Sequence, residues 1–283
     1  MHKQLLVKIL FKNTILRGVF ICFFILSSVI SFSQVQDSTH QMAYKQYLKS
    51  YFSDSKDIAI APFHWSKKEW IATGAVVGGT VLLMQYDKII QEYAQSKQNE
   101  MGENITKYGL EPWGSGVYSI STMALFYGQG LIWKNKRSKK VALMGVKAYI
   151  LSGFFVTFPK LLFNRHRPYH DQPSNPYIWE GPSLDLYKSF PSGHTTTIFA
   201  MAAVVASEYK ETIWVPLIAY SLASLSGLSR IYDNKHWASD VFFAAAFGWS
   251  IGKLIHNSNH WNIQISPVIT NESASLHLNY RFK

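Results

Sequence analysis

Pro191-Ser192-Gly193-His194, followed by Thr195-Thr196-Thr197-Ile198-Phe199-Ala200-Met201-Ala202-Ala203-Val204-Val205-Ala206-Ser207, is the stretch on which the reading of the fold turns. Its first four residues read as the entry to a helix. Pro191 ends a loop, Ser192 suits a cap, and Gly193 lets a ligand come close to the backbone. The rest is apolar apart from hydroxyls, with Ala and Met plentiful. Five similar runs lie near Trp70–Met84, Val117–Trp133, Val141–Phe158, Ile213–Leu228 and Val241–Ile255. Each suits a helix of roughly four turns, so the expected class is all-α, a helical bundle of about six core helices. Near the end, Ile263–Phe282 alternates weakly about Asn271 and suits a short C-terminal β-hairpin.

The chain has 283 residues, enough for one sizeable domain or two small ones. Hydrophobic residues make up 48%, which allows a large core or a membrane contact. A mean hydropathy of −0.01 is low for a protein built mostly of membrane spans. The formal charge of +11 suits an anionic partner such as an acidic lipid surface or a phosphorylated substrate. No long Lys/Arg tract with interleaved aromatics occurs, which weighs against nucleic acid.

Residues 1–33 read as an export signal. His2, Lys3, Lys8, Lys12 and Arg17 precede the apolar run Gly18–Phe32, and Ser31-Phe32-Ser33 offers a cleavage site. The alternative is an uncleaved anchor helix. Either way, the expected location is the bacterial cell envelope, on the periplasmic side. Cys22 is the sole cysteine and falls in this segment, so the remainder has neither disulfide nor cysteine metal ligand. Residues 34–112 read as an N-terminal helical arm with one helix around Tyr44–Phe52, 113–256 as the core, and 257–283 as a tail. Tyr169–Phe190, rich in Pro, Gly and aromatics, reads as a long loop.

Whether the apolar runs span a membrane stays open at this level. Most are about 15–18 residues, at or below the roughly 17–25 that a span needs. The loop Lys134–Lys140 is intensely basic, which favours the cytoplasmic side if its neighbours span. An exported N-terminus followed by two spans would instead put that loop outside. The balance favours a membrane-associated helical domain over a soluble one.

Three short clusters carry chemistry. In Ser229-Arg230-Ile231-Tyr232-Asp233-Asn234-Lys235-His236-Trp237-Ala238-Ser239-Asp240, His236 and Asp240 are four apart, which on a helix puts both on one face. A carboxylate there can accept the Nδ1–H and turn Nε2 outward as a nucleophile. Arg230, in a loop before that helix, can fold back with a planar fork suited to two phosphate oxygens. At Pro191-Ser192-Gly193-His194, a helix N-terminus offers free N–H groups to an anion, with His194 beside it as acid or base. In Lys160-Leu161-Leu162-Phe163-Asn164-Arg165-His166-Arg167-Pro168, Lys160 and Arg167 are two helical turns apart, and Pro168 breaks the helix after them. Each cluster alone has a plainer reading: a helix-surface ion pair, an ordinary capped helix, a basic helix end. Together they supply three cations, a helix N-terminus, an acid and an oriented nucleophile, the inventory of phosphoryl transfer with fixed charge in place of a metal.

The same residues resemble the signature of the type 2 phosphatidic acid phosphatase and vanadium haloperoxidase superfamily. That signature reads Lys, six residues, Arg-Pro; Pro-Ser-Gly-His; Ser-Arg, five residues, His, three residues, Asp. All eleven fixed positions stand here at the required spacing. The resemblance implies an all-α bundle and a metal-independent phosphatase with no cofactor. It implies that His236 attacks phosphorus and Asp240 orients it. It gives His194 the role of protonating the leaving oxygen and then activating water. Lys160, Arg167 and Arg230, with Ser192 and the N–H of Gly193, bind the phosphoryl oxygens. The expected substrate is a lipid phosphate or pyrophosphate. A soluble periplasmic acid phosphatase acting on small phosphomonoesters, a vanadate-dependent haloperoxidase and a non-catalytic lipid-binding protein are the alternatives.

Arg165 and His166 sit at variable positions of the signature and read as loop or surface. His64, His170, His256 and His260 are scattered, with no spacing that suggests a metal site. The loop aromatics Tyr169, Tyr177, Trp179, Tyr187 and Phe190 suit either an acyl chain or plain loop packing.

Overall fold

A computed structural model of the protein describes residues 44–183 and 188–258, and the backbone of two strands at 263–269 and 274–280. The expected signal segment 1–33 and Tyr187 lie outside the described residues. In chain order the helices are α1 (Tyr44–Ile60), α2 (Lys67–Met84), α3 (Asp87–Ser96), α4 (Glu100–Ile105), α5 (Glu111–Gly114), α6 (Val117–Ile132), α7 (Lys136–Phe155), α8 (Thr157–Phe163), α9 (Gly193–Glu208), α10 (Trp214–Tyr232) and α11 (Ala238–Asn257). The fold is all-α. Five of the six apolar runs each form one long helix, α2, α6, α9, α10 and α11, while Val141–Phe158 forms most of α7 and, past a break at Val156, the start of α8. Strands β1 (Ile263–Ile269) and β2 (Ala274–Tyr280) pair antiparallel, Ile263 opposite Tyr280 and Ile269 opposite Ala274.

Helix starts follow local chemistry. Ser66 and Glu69 form a reciprocal capping box at α2, with Ser66 N–H donating to Glu69 Oε2 at 2.7 Å. Asn99, Asn135 and Ser192 cap α4, α7 and α9 through side-chain oxygens.

The arm is more helical than expected. α1 runs eight residues past Phe52, to Ile60. Its inward face mixes buried Ser50 and Asp54 with Tyr51 and Ile58, which blurs the apolar periodicity. Buried Lys147 of α7 donates to Ser50 Oγ and Asp54 Oδ2, each at 2.6 Å. Such a pair can lie inside a core only because both charges are matched and hydrogen-bonded.

α9 is the axis of the bundle. From Thr195 to Ser207 every residue but Phe199 is buried. Met201 and Val205 pack with Met123, Phe126, Val141 and Val215, while Ala200 and Val204 pack with Met144, Ala148, Ile251 and Ile255. α11 lies closest to it, through Gly248 and Gly252. A Cβ on Gly248 would run into the carbonyl of Thr196, and one on Gly252 into that of Ala200. This Gly-x-x-x-Gly stripe brings two backbones together because neither helix interposes a side chain.

The helix ends sort into two groups. Lys140 and Arg137 of α7 pair with Glu208 of α9 at 3.0 and 3.7 Å, and His256 at the end of α11 meets Glu208 at 3.1 Å. That end is basic. At the opposite end lie the starts of α9 and α11, the finish of α10 and the finish of α2, whose Leu83 packs on Ile231, Ala238 and Val241. The twenty residues of α11 separate the two ends by about 30 Å.

Replacing either stripe glycine forces α9 and α11 apart. Gly252→Val is expected to cost about 1–3 kcal/mol or more, read as a lowered melting temperature of the purified protein. Ala substitution at Gly78, which has open space around its Cβ position, should leave that temperature nearly unchanged.

Candidate active site

All three sequence clusters meet at the end of the bundle opposite the basic one. Ser192 caps α9, its Oγ accepting from the N–H and the hydroxyl of Thr195 at 3.5 and 2.9 Å. Its own N–H donates to the carbonyl of Asp240 at 3.2 Å, which ties the Pro191–His194 entry to the first turn of α11. Gly193 opens α9. A Cβ there would stand 3.5 Å from Lys160 Cε, so the lysine passes directly over the start of the helix. Lys160 Nζ donates to the Lys188 carbonyl at 2.9 Å.

Two local geometries differ from expectation. Lys160 and Arg167 do not share a helix face. α8 stops at Phe163, and Asn164 turns left-handed at φ 40°. Arg167 lies in the irregular segment after it. Asn at such a C-terminal position tolerates positive φ, a stop signal that precedes Pro168 by four residues. Likewise His236 and Asp240 are not on one helix. α11 begins at Ala238, so His236 sits in the turn before it and Asp240 in its first turn. Asp240 Oδ2 accepts the N–H of Trp237 at 3.0 Å, an N-terminal capping contact, and faces His236 Nδ1 at 3.6 Å. The pair meets around a helix start rather than along a helix. Arg230, expected in a loop, occupies the last turn of α10, bonded to Ser229 Oγ and to Asp233 Oδ2 at 2.7 Å.

Despite these differences the predicted residues converge. His236 is buried. Burial pushes its imidazole well down, to about 3, with the charges of Lys160 and Arg167 adding to the effect and Asp240 opposing it. His236 is therefore neutral at pH 7, with a nitrogen lone pair free to react. Its Nδ1 finds no hydrogen-bond partner among the described residues, since 3.6 Å to Asp240 exceeds hydrogen-bond length.

His194, in the first turn of α9, faces the same space from the other side. Its Nε2 lies 3.1 Å from Glu111 Oε1 at the start of α5, and a Cβ on Gly114 would strike its ring. Burial and the charges of Arg230 and Lys160 push this imidazole below its usual value, while Glu111 pulls it up.

Sequence reasoning missed Glu111, Asp87 and Arg165. Arg165, expected at the surface, is fully buried. Nε and Nη2 donate to the Pro176 carbonyl at 2.9 and 2.7 Å. Nη1 donates to Ser239 Oγ at 2.8 Å and Asp240 Oδ1 at 2.7 Å, and Nη2 to Asp87 Oδ2 at 2.8 Å. Its guanidinium lies 4.9 and 5.4 Å from the ring centres of Trp179 and Trp237. Asp240 Oδ2 also accepts from Ser189 Oγ at 2.5 Å. His166 is buried as well, its two ring nitrogens 2.8 Å from Asp171 and 3.0 Å from Glu180. With His170 and Asp171 it forms a close group of potential metal ligands that spacing alone did not suggest. Of the loop aromatics, Trp179 and Phe190 pack on Phe163, while Tyr169 and Tyr177 are exposed.

Residues 141–264 match the family model described as the PAP2 superfamily. A lipid A 1-phosphatase of Porphyromonas gingivalis is 35% identical over 128 residues, covering 45% of this chain and 26% of that protein. A lipid A 1-phosphatase of Rhizobium etli is 31% identical over 162 residues, covering 53% of this chain and 66% of that protein. This chain thus spans about a quarter of the first and just under two thirds of the second. Among solved structures, a transmembrane PAP2-type phosphatidylglycerolphosphate phosphatase from Bacillus subtilis aligns at a TM-score of 0.45 and 19% identity, over 64% of this chain and 90% of that one. The signature residues from Lys160 to Asp240 all lie inside the matched segment, and residues 141–264 are of the PAP2 superfamily.

Proposed function

We propose that this protein is a phosphatase of the bacterial envelope that hydrolyses a lipid phosphate or pyrophosphate monoester, without a metal ion, through a phosphohistidine at His236. One observation carries the reading: a buried, neutral imidazole stands under the charges of Lys160 and Arg167, beside the start of α9, with a carboxylate behind it.

The chemistry follows from that arrangement. Lys160, Arg167 and Arg230 hold the phosphoryl oxygens, joined by the free N–H of Gly193 at the positive end of α9. Ser192 Oγ already accepts two hydrogen bonds, so its hydroxyl proton is left to donate. These fixed charges stabilise the developing negative charge of the transferring group, the task a metal ion performs elsewhere. His236 Nε2 attacks phosphorus as the P–O bond to the leaving group breaks. The ring gains positive charge, and its Nδ1–H turns to Asp240 Oδ2, closing a gap that is long in the unliganded site. His194, aimed by Glu111, gives its proton to the leaving oxygen. It then takes one from the water that cleaves the N–P bond, returning both histidines to their starting state.

A lipid substrate is supported by the outer surface. Ile71 on α2, Ile132 on α6, Phe154 on α7, Leu217 and Leu228 on α10, and Phe242 on α11 are all exposed. Apolar exposure of this extent suits hydrocarbon rather than water. Lys136–Phe163 and Ala238–Asn257 are long and apolar enough to cross a bilayer, and the roughly 30 Å between the bundle ends matches a hydrocarbon core. Placing the basic end with Arg137, Lys139 and Lys140 in the cytoplasm puts His236 on the outer side. The names of the relatives in Porphyromonas and Rhizobium point to a phosphorylated lipid as well.

Phosphate release from purified protein with EDTA present, on lipid and water-soluble substrates, tests the proposal. Turnover should survive chelation, favour the lipid substrate and vanish in His236→Ala. Loss on chelation would sink the fixed-charge reading. The protein should also require detergent for extraction from membranes. Appearance in the aqueous fraction would favour a soluble phosphatase.

The pH dependence has a defined sign. His194 acts as an acid in its protonated form, and its pKa in the free site is lowered, so the active fraction falls as pH rises through a value below the ordinary 6.5. His236 is needed neutral and protonates only near pH 3. Consequently kcat/KM for alkyl phosphates should peak between those limits. With an aryl phosphate whose leaving group needs little protonation, the alkaline limb should flatten. His194→Ala should then lose far less on the aryl substrate, about 10-fold against about 10²–10⁴-fold on the alkyl one. Equal losses on both would remove His194 from the acid role.

A further inference from the structure

We infer that Asp87, on α3 and outside the segment that matches the superfamily, is a positioning residue that acts through Arg165 on the Asp240–His236 pair. The inference rests on His236 being the nucleophile and deepens that reading.

Asp87 is fully buried, and so are Arg165 and Asp240. Asp87 Oδ1 accepts the N–H of Ser239 at 2.9 Å, in the first turn of α11. Its Oδ2 accepts from Arg165 Nη2 at 2.8 Å and from the Ser239 hydroxyl. The Ser239 backbone N–H and the Arg165 N–H can only donate, and the Ser239 hydroxyl donates as well, so Asp87 is surrounded by three donors, an environment that suits a carboxylate. Burial pushes the Asp87 carboxyl up, while Arg165 and Ser239 oppose that.

The guanidinium has five N–H groups, and all five are engaged: two on Pro176, one each on Ser239, Asp240 and Asp87. It cannot rotate without abandoning a buried acceptor. Asp87 therefore decides which edge of Arg165 faces Asp240, and Asp240 Oδ2 is left turned to His236.

Charge gives a second effect. Two carboxylates and one guanidinium leave this buried group with one net negative charge while His236 is neutral. When Nε2 bonds phosphorus and the P–O bond breaks, the imidazole becomes cationic and the group becomes neutral. Without the Asp87 charge, Arg165 alone would cancel Asp240, and the cationic ring would face a neutral pair. The stabilisation belongs to the transferring state rather than to substrate binding.

α3 also holds the turn that carries the nucleophile. Gln91 Nε2 donates to Asn234 Oδ1 at 2.8 Å, Gln95 Nε2 to the Tyr232 carbonyl at 3.2 Å, and Gln98 Nε2 to the same carbonyl at 2.6 Å. Asp87 is thus the buried charge of a helix that, with Gln98 just beyond its end, grips the turn before His236.

The experiment compares Asp87→Asn, Asp240→Asn and the double variant in the full-length protein, using phosphate release from phosphatidic acid in detergent micelles and a thermal melt for each. Asp87→Asn should fold, keep KM within about twofold and lower kcat by about tenfold or more. In the Asp240→Asn background it should add a clearly smaller loss than in the wild-type background, because the part that acts through Asp240 is already gone. A kcat held within twofold, a KM change with kcat unchanged, or the full loss repeated on top of Asp240→Asn would each overturn the inference. Should Asp87→Asn fail to fold, Ser239→Ala decides. It keeps all charges and the backbone N–H on Asp87, but removes the hydroxyl donor to Asp87 Oδ2 and the acceptor of one Arg165 N–H. A kcat lowered several-fold at constant KM supports the role, and an unchanged kcat overturns it. Failure of the wild-type protein to release phosphate, or release that persists in His236→Ala, would instead count against the proposed function.

Discussion

A single guanidinium, shut away from water and satisfied on every N–H, joins three distant parts of the chain. Arg165 draws together Asp87 of α3, the Pro176 carbonyl of the long loop, and Ser239 and Asp240 at the head of α11. Arginine suits this place because its planar fork distributes five donors in fixed directions, and because its weakly hydrated ion can lie between indole rings. Buried charges of this kind tolerate little damage: removing one partner typically costs about 3–5 kcal/mol, since the other is left uncompensated in a low-dielectric interior. The head of α11, the long loop and the turn before α11 are therefore held in one register, and the His236–Asp240 pair inherits it.

Around that anchor the site divides its labour by depth. The innermost layer carries alternating fixed charges, with Asp240 between Arg165 and His236. His236 itself is kept neutral by burial and by nearby cations, as the proposed nucleophile requires. The outer layer, with Lys160, Arg167, Arg230 and the start of α9, is positive where phosphate would sit. The two histidines each meet a carboxylate, Asp240 from inside the matched segment and Glu111 from the arm before it. The arm is part of the site rather than an appendage to it.

The helices make this arrangement possible by how closely they pack. Gly248 and Gly252 let α11 lie against the backbone of α9, so the two helix starts stand side by side and the Ser192 N–H reaches the Asp240 carbonyl. The approach depends on small residues, because side-chain volume at that stripe would separate the two starts.

The six core helices were legible because each is a long apolar run, and local composition is enough to make such a run helical. The signature residues were legible because their spacing is distinctive even before any shape is known. The local geometry assigned to them was less so. Lys160 and Arg167 meet across a left-handed Asn164, and His236 reaches Asp240 around a helix start. In both cases the spacing was right and the helix inferred from it was not, since several backbone paths bring residues four or seven apart into contact. α1 was legible only as far as Phe52, because the face it buries mixes Ser50 and Asp54 with Tyr51 and Ile58. Arg165, Asp87 and Glu111 escaped for a deeper reason: a charged residue reads as surface until its partner is known, and the partners lie 78, 75 and 83 positions away. Local patterning is written within a few turns of chain, and sequence alone determined that much: the helices, the class and the inventory of reactive groups. Which charge is buried against which, and hence how His236 is aimed, is a property of segments brought together by packing, and only the tertiary structure decided it.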